Sequence, residues 1–298
     1  MTTIGLIGVG LMGRGIGENL IKKGHRLVVL AHRKRQFVDE LIALGASEAK
    51  TPRELAEAAE ITLVCVTGTP QFMAIAEGDT GIYGAMRAGK TLIDCTTGKP
   101  AGTLAAVAEV EGRGAAFADA PLARTPVEAR EGRLNAMVGA RPDVFAAIEP
   151  VLRCFCENIF HVGGPGAGAH LKLINNLIAM GHAALIAEAV TACKATGVDV
   201  GKLFEVVSKG GANSGIFQMI MKGYVETGSL EGMKFSLANA QKDLGYFVDM
   251  AMNAGLVAPM GAAVHNQLAT ARAVGFDDGL VGHLVAAALK VNFGESAK

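Results

Sequence analysis

Residues 4–25 read IGLIGVGLMGRGIGENLIKKGH, and no other stretch restricts the fold as tightly. Gly8, Gly10 and Gly13 stand in the spacing G-x-G-x-x-G, directly after an apolar run and at the start of an amphipathic segment. A second apolar run, RLVVLA, follows at 26–31. Each glycine meets a different demand: Gly8 a tight turn, Gly10 close approach of the backbone to a pyrophosphate, Gly13 close packing of helix on strand. The helix N-terminus that opens here offers unpaired N–H groups and a favourable dipole to negative charge. The pattern predicts a strand–turn–helix–strand unit that binds a dinucleotide. The plainer alternative is that the glycines serve only the turn.

The end of the second strand reads LAHRKR, residues 30–35, with Ala31 and His32 where an acidic residue would bind a ribose 2′-hydroxyl. His32, Arg33 and Lys34 instead suit a 2′-phosphate, with Arg33 the main contact through its two-pronged guanidinium. NADP(H) is therefore the expected cofactor, with NAD(H) the second option. A basic surface helix start unrelated to any cofactor is the competing reading.

Short apolar runs at 4–8, 26–31, 61–66, 90–94, 115–119, 134–139 and 158–163 read as strands, separated by helical stretches. Near-continuous apolar strands alternating with helices imply a mainly parallel sheet covered on both faces. Beyond GGPGAG, residues 163–168, no strand pattern remains. Helices are expected over about 169–196, 199–209, 214–226, 235–254, 260–274 and 279–291. The expected architecture is α/β: a doubly wound N-terminal domain, 1–163, then an all-helical domain, 164–298, joined by a long helix.

With 28 basic and 28 acidic residues, the chain announces no nucleic-acid or membrane-binding face. The apolar segment 171–190 has the length of a membrane span. Lys172, Asn175, Asn176, His182 and Glu188 would be costly in hydrocarbon, so a buried helix is the expectation. The start lacks a basic leader, and five scattered cysteines fit a reducing, cytoplasmic setting. The seven histidines show no metal-ligand spacing, so no metal is expected.

Two further stretches carry chemistry. In GAGAHLKLINN, Lys172 and Asn176 are four apart and share a helix face. A lysine in an apolar helix beside a glycine hinge suits general acid–base work, since burial disfavours its charged form. Asn176 would hold the substrate oxygen or the lysine. A lysine snorkelling to the surface is the alternative. The other stretch is DAPLARTP, residues 119–126, where Pro121 and Pro126 stiffen a loop carrying Arg124 and Thr125 at the end of a strand. Such an arginine could grip an anionic substrate tail, or it could be a solvated loop charge.

The glycine fingerprint with LMG inside it, LIDCTTGKP, DAP, GAGAHLKLINN and AQKDLGYFVDMA occur in one order along nearly the whole chain. Together they resemble the β-hydroxyacid dehydrogenase family. The resemblance implies a Rossmann domain, a helical domain that also makes subunit contacts in a homodimer or homotetramer, and a small anionic semialdehyde or hydroxyacid as substrate. It implies Lys172 as catalytic acid/base, Asn176 as its substrate-binding partner, and Lys242 near the nicotinamide. Leu11, Met12, Val66 and Thr97 would line the cofactor. The family's Val-Ser-Gly-Gly after DAP is replaced by Leu122, Ala123, Arg124 and Thr125, a version similar to that of sulfolactaldehyde reductases. That departure weighs against 3-hydroxyisobutyrate itself; a 3-hydroxyisobutyrate- or sulfolactaldehyde-type oxidoreductase using NAD is the alternative expectation. Imine reduction, which shares the architecture, typically replaces the lysine, and a non-catalytic dinucleotide-binding module would be expected to have lost it.

Overall fold

The structure is a computed structural model and describes residues 2–32 and 35–294. The chain divides into two compact units, Met1–Lys172 and Leu173–Lys298.

The first unit is built on one sheet. Its strands are β1 (Thr3–Ile7), β2 (Arg26–Leu30), β3 (Ser47–Ala49), β4 (Ile61–Val64), β5 (Thr91–Asp94), β6 (Ala116–Asp119), β7 (Leu122–Ala123), β8 (Leu134–Ala140) and β9 (Cys156–Gly163). Between them run α1 (Leu11–Lys22), α2 (Gln36–Ala43), α3 (Pro52–Ala58), α4 (Thr69–Ala76), α5 (Pro100–Gly112), α6 (Pro126–Glu131) and α7 (Pro142–Leu152). The first six strands are parallel in the order β3-β2-β1-β4-β5-β6, the doubly wound arrangement expected from the alternating pattern. Ile4, Leu6, Leu63, Ile93 and Phe117 are buried, which is why these strands read as continuous apolar runs.

Beyond β6 the sheet reverses. β8 runs antiparallel to β6 and to the two-residue β7, and β9 runs parallel to β8. The reversal returns the chain to the carboxyl end of β6, where Asp119 pairs with Gly139 and Gly139 with Gly163. Both unforeseen strands have simple reasons. β3 (SEA) is short and polar, and β7 is only two residues long.

The long helix α8 (Ala167–Thr196) follows, then α9 (Val200–Ser208), α10 (Gly215–Thr227), α11 (Leu237–Asn253), α12 (Pro259–Ala271) and α13 (Leu284–Phe293). All six lie close to their expected spans. In the second unit Met180, Ala184 and Ala187 of α8 share a core with Phe217, Leu237, Leu244, Leu268 and Val285. Small residues on α8 let the neighbouring helices approach closely. By length and composition α8 alone among the described helices could cross a membrane, a test that core helices also pass. Leu171, Ile174, Ile178 and Leu185 of α8 are exposed.

Candidate active site

The turn after β1 is shaped by what cannot fit there. Gly8 has φ +98°, and a Cβ on it would lie 2.1 Å from the Cys65 carbonyl oxygen. A Cβ on Gly13 would lie 2.2 Å from the Gly8 carbonyl oxygen. Around Gly10, by contrast, nothing stands within 4 Å of the Cβ position, and its side carries no capping group. The result is an open backbone cradle at the start of α1, where first-turn N–H groups have no intrahelical carbonyl to bond. That shape fits a diphosphate. Leu11 is exposed at its rim, and Met12 is half-buried behind it.

The other candidate cofactor contacts in this unit follow the ends of neighbouring strands, as ligand sites of open α/β sheets do. His32 is exposed after β2, Val66 follows β4 and Thr97 follows β5. Arg33 and Lys34 lie outside the described residues. Arg35, the third cation of that run, is committed to Glu48 and Asp39, at 2.9 Å each. A buried buttress backs this edge: the Val66 N–H donates to Thr96 Oγ1 (3.2 Å) and the Thr96 N–H to Asp94 Oδ1 (2.9 Å). Burial, opposed by the Thr96 hydrogen bonds, pushes the Asp94 carboxyl up to about 7, and the charge of neighbouring Asp119 adds to the shift.

The stretch after β6 is held by side chains. Leu122 and Ala123 form β7, and Leu122 is buried in the sheet core. Arg124 has φ +82°, the one non-glycine residue with positive φ among those described. Its guanidinium donates to the Glu157 carboxylate and, at 2.5 Å, to the Arg133 carbonyl. The arginine is thus neither a solvated loop charge nor without a partner here: its charge is balanced by the Glu157 carboxylate. Thr125 is committed as well. Its hydroxyl accepts from the Val127 N–H (3.2 Å) and Glu128 reaches back to the Thr125 N–H (2.9 Å), a capping box that starts α6 at Pro126. The physical cause is local: the Thr-Pro-Val-Glu order is a helix-start signal, read here only as a loop.

Lys172 lies in the second turn of α8 and is 8 % exposed, so it does not snorkel. Asn176, one turn on, is also buried, and its Nδ2 donates to Asp243 Oδ2 at 2.7 Å. Asp243 in turn pairs through Oδ1 with Lys242 Nζ at 2.7 Å, and Lys242 stands 4.9 Å over the Tyr246 ring. Asp243 therefore ties two expected site residues together, Asn176 on α8 and Lys242 on α11. Its place beside Lys242 in AQKDLGY was the available signal.

At the start of α8, one turn before Lys172, Asp119 accepts the Gly166 N–H (2.6 Å) and the Ala169 N–H (2.7 Å). Among the described residues, no group of three His, Cys, Asp or Glu side chains is placed to hold a metal.

Comparison with known proteins places this geometry. Residues 3–163 match the family described as the NAD binding domain of 6-phosphogluconate dehydrogenase. Residues 166–285 match the NAD-binding family of NADP-dependent 3-hydroxyisobutyrate dehydrogenase. The 2-hydroxy-3-oxopropionate reductase of Escherichia coli K12 is 31% identical over 272 residues, covering 91% of this chain and 92% of that protein. The chain belongs to the β-hydroxyacid dehydrogenase family. It is an NAD(P)-dependent oxidoreductase acting on CH–OH groups. The 3-sulfolactaldehyde reductase of Escherichia coli K12 is 30% identical, covering 92% of each chain. The 3-hydroxyisobutyrate dehydrogenase of Mycobacterium tuberculosis superposes with a TM-score of 0.87 at 24% identity, over 96% of this chain and 98% of that one. An imine reductase from Pseudomonas reaches a TM-score of 0.62 at 19% identity, over 96% of this chain and 99% of that one, a likeness of fold alone.

Within each unit the expected site residues fall into one place. The glycine cradle, Leu11, Met12, Val66 and Thr97 share the carboxyl edge of the sheet. Asn176, Asp243 and Lys242 form one buried polar cluster among the helices.

Proposed function

We propose that this enzyme uses NADPH to reduce a small aldehyde with an anionic tail to its 3- or 4-hydroxyacid, with Lys172 as general acid. The observation that carries the reading is the burial of Lys172 one helical turn from buried Asn176. A lysine enclosed in this way, with a buried amide on the same helix face, suits proton transfer. The bound nicotinamide supplies the hydride. Lys172 Nζ gives a proton to the carbonyl oxygen, or takes it back in the oxidative direction, and Asn176, oriented by Asp243, holds that oxygen. Lys242 would stand near the nicotinamide.

Arg33, assisted by His32 and Lys34, would read the 2′-phosphate of NADPH. Support comes from the absence of an acidic residue after β2 and from a relative of solved structure, 25% identical over 95% of this chain and 98% of that one (TM-score 0.83), that was captured with NADP+. Arg124 would hold the substrate's charged tail by exchanging Glu157 for the incoming anion, with Leu122, Ala123 and Thr125 shaping the loop around it. The sulfolactaldehyde reductase named above lends weight to a strongly acidic tail. The apolar stripe of Leu171, Ile174, Ile178 and Leu185 is suited to a homodimer or homotetramer.

The test is turnover of a panel of short semialdehydes with NADPH and NADH, on the parent enzyme, Lys172→Ala and Arg33→Ser. Lys172→Ala should lose roughly two to four orders of magnitude in turnover while still binding NADPH. Arg33→Ser should weaken NADPH about tenfold or more and leave NADH nearly unchanged. Near-normal turnover in Lys172→Ala, or equal losses for both cofactors in Arg33→Ser, overturns the corresponding assignment.

A further inference from the structure

α8 carries Lys172 in its second turn, yet its own sequence provides no side chain to cap its start. The His170 N–H bonds back to the Gly166 carbonyl, so the cap position is a glycine. What closes the helix start comes from 47 residues earlier: Asp119, the last residue of β6 and 1 % exposed, accepts the Gly166 N–H with Oδ1 and the Ala169 N–H with Oδ2. These are orphan donors of the first turn. The surroundings leave no slack. A Cβ on Gly139 would sit 2.5 Å from Asp119 Oδ1, and one on Gly168 would sit 2.8 Å from Asp119 Oδ2 and 2.3 Å from the Met137 carbonyl oxygen. Gly163 and Gly166, at φ +146° and +92°, bend the chain into this seat.

We propose that Asp119 is the positioning residue for Lys172: it clamps the first turn of α8 to the carboxyl end of the sheet and so sets where the lysine Nζ points. Lys172 follows Ala169 by three residues, less than one turn, so any rotation of the first turn carries directly into the lysine. Burying a carboxylate is a costly way to cap a helix, since a serine at the cap position would serve stability alone. The expense is explained if the start must be anchored to the sheet. Burial holds the Asp119 carboxyl above the usual range, opposed by the backbone amides it accepts.

The proposal rests on Lys172 being the proton donor, and a double-mutant cycle separates the two ideas. Asp119→Asn keeps the shape but turns one acceptor into an NH2 group facing an amide N–H. In the otherwise parent enzyme it should lower kcat by about 10- to 100-fold, the scale of a misplaced catalytic group, with NADPH affinity unchanged. In a Lys172→Ala background the same substitution should cost less than about twofold, because the group it positions is gone. If the full loss persists in that background, or NADPH affinity falls in parallel, Asp119 supports the fold only and the proposal fails while Lys172 stands. If Lys172→Ala alone keeps near-normal turnover, both fall. Should Asp119→Asn give no cooperative melt, Asp119→Ser, which leaves room for water at the amides, carries the same cycle with the same two outcomes.

Discussion

The turn after β1 and the stretch after β6 both lie at the carboxyl ends of parallel strands in one sheet, with β4 and β5 between them, and they are held by opposite means. The first is held by missing atoms. Gly8 and Gly13 have no room for a Cβ, and Gly10 faces open space. The second is held by side chains that reach elsewhere: Arg124 to Glu157, Thr125 to Glu128 and Val127, Asp119 to Gly166 and Ala169. A backbone cradle can accept any diphosphate, whereas a loop knitted by particular side chains can be respecified one residue at a time. Under the proposed function, cofactor binding would rest on the first construction and substrate choice on the second.

Four measurements bear on that contrast, in falling order of effect. Gly8→Ala places a methyl into the Cys65 carbonyl at a φ unfavourable to alanine, so it should cost about 3 kcal/mol or more in chemical denaturation. Native-like stability would show that the turn is not sterically closed. Arg124→Ala should reduce kcat/KM for an anionic aldehyde by an amount equivalent to roughly 1.5–3 kcal/mol. A neutral aldehyde of similar size should be nearly unaffected. Equal losses, or none, would return Arg124 to a purely structural role with Glu157.

Asp94 supplies the third. Its native carboxyl keeps a proton up to about 7, whereas the unfolded chain releases it in the ordinary carboxylate range. Between roughly pH 4 and 7 the native state therefore binds more protons, and stability falls as pH rises, by at most about 1.4 kcal/mol per pH unit. Asp94→Asn should remove that slope from the melting-temperature profile; an unchanged slope assigns it to other groups. The smallest shift in stability belongs to Gly10→Ala, which meets no protein atom and should change folding by about 1 kcal/mol or less. Dinucleotide affinity should nevertheless drop, since the methyl intrudes where the pyrophosphate comes close. Unaltered affinity would mean that the cradle at Gly10 is not where the cofactor lies.

The parallel half of the sheet could be read from its continuous apolar runs, because burial on both faces dictates residue type at nearly every position, and the six later helices from apolar residues recurring every third or fourth position. The reversal through β8 and β9 could not be distinguished from further parallel strands. Strand direction is decided by connections and partners, and an apolar run such as LNAMVG carries neither. At the site, the glycines were readable because the backbone requirement is met by one residue type. The partners of Arg124 and Thr125 were not legible, because Glu157 is 33 residues from Arg124 and a Thr-Pro-Val-Glu helix start has the composition of a stiff loop. Asp119, Asp243 and Asp94 were missed as working residues for a common reason: a carboxylate's use depends on which N–H or ammonium group the fold brings to it.

The tether from Asp119 to Gly166 also has a bearing on the order in which the molecule assembles. Its two ends are separated by 47 residues, and all of β8 and β9 lie between them. The start of α8 can be locked only after both strands have found their register beside β6, a closure of high sequence separation and so a slow one. Until then the first turn of α8, directly before the turn that carries Lys172, is an uncapped helix end, free to fray and to exchange its amide hydrogens with solvent. The proton donor proposed here therefore takes its working place only once β8 and β9 have paired, and catalytic competence waits on that pairing.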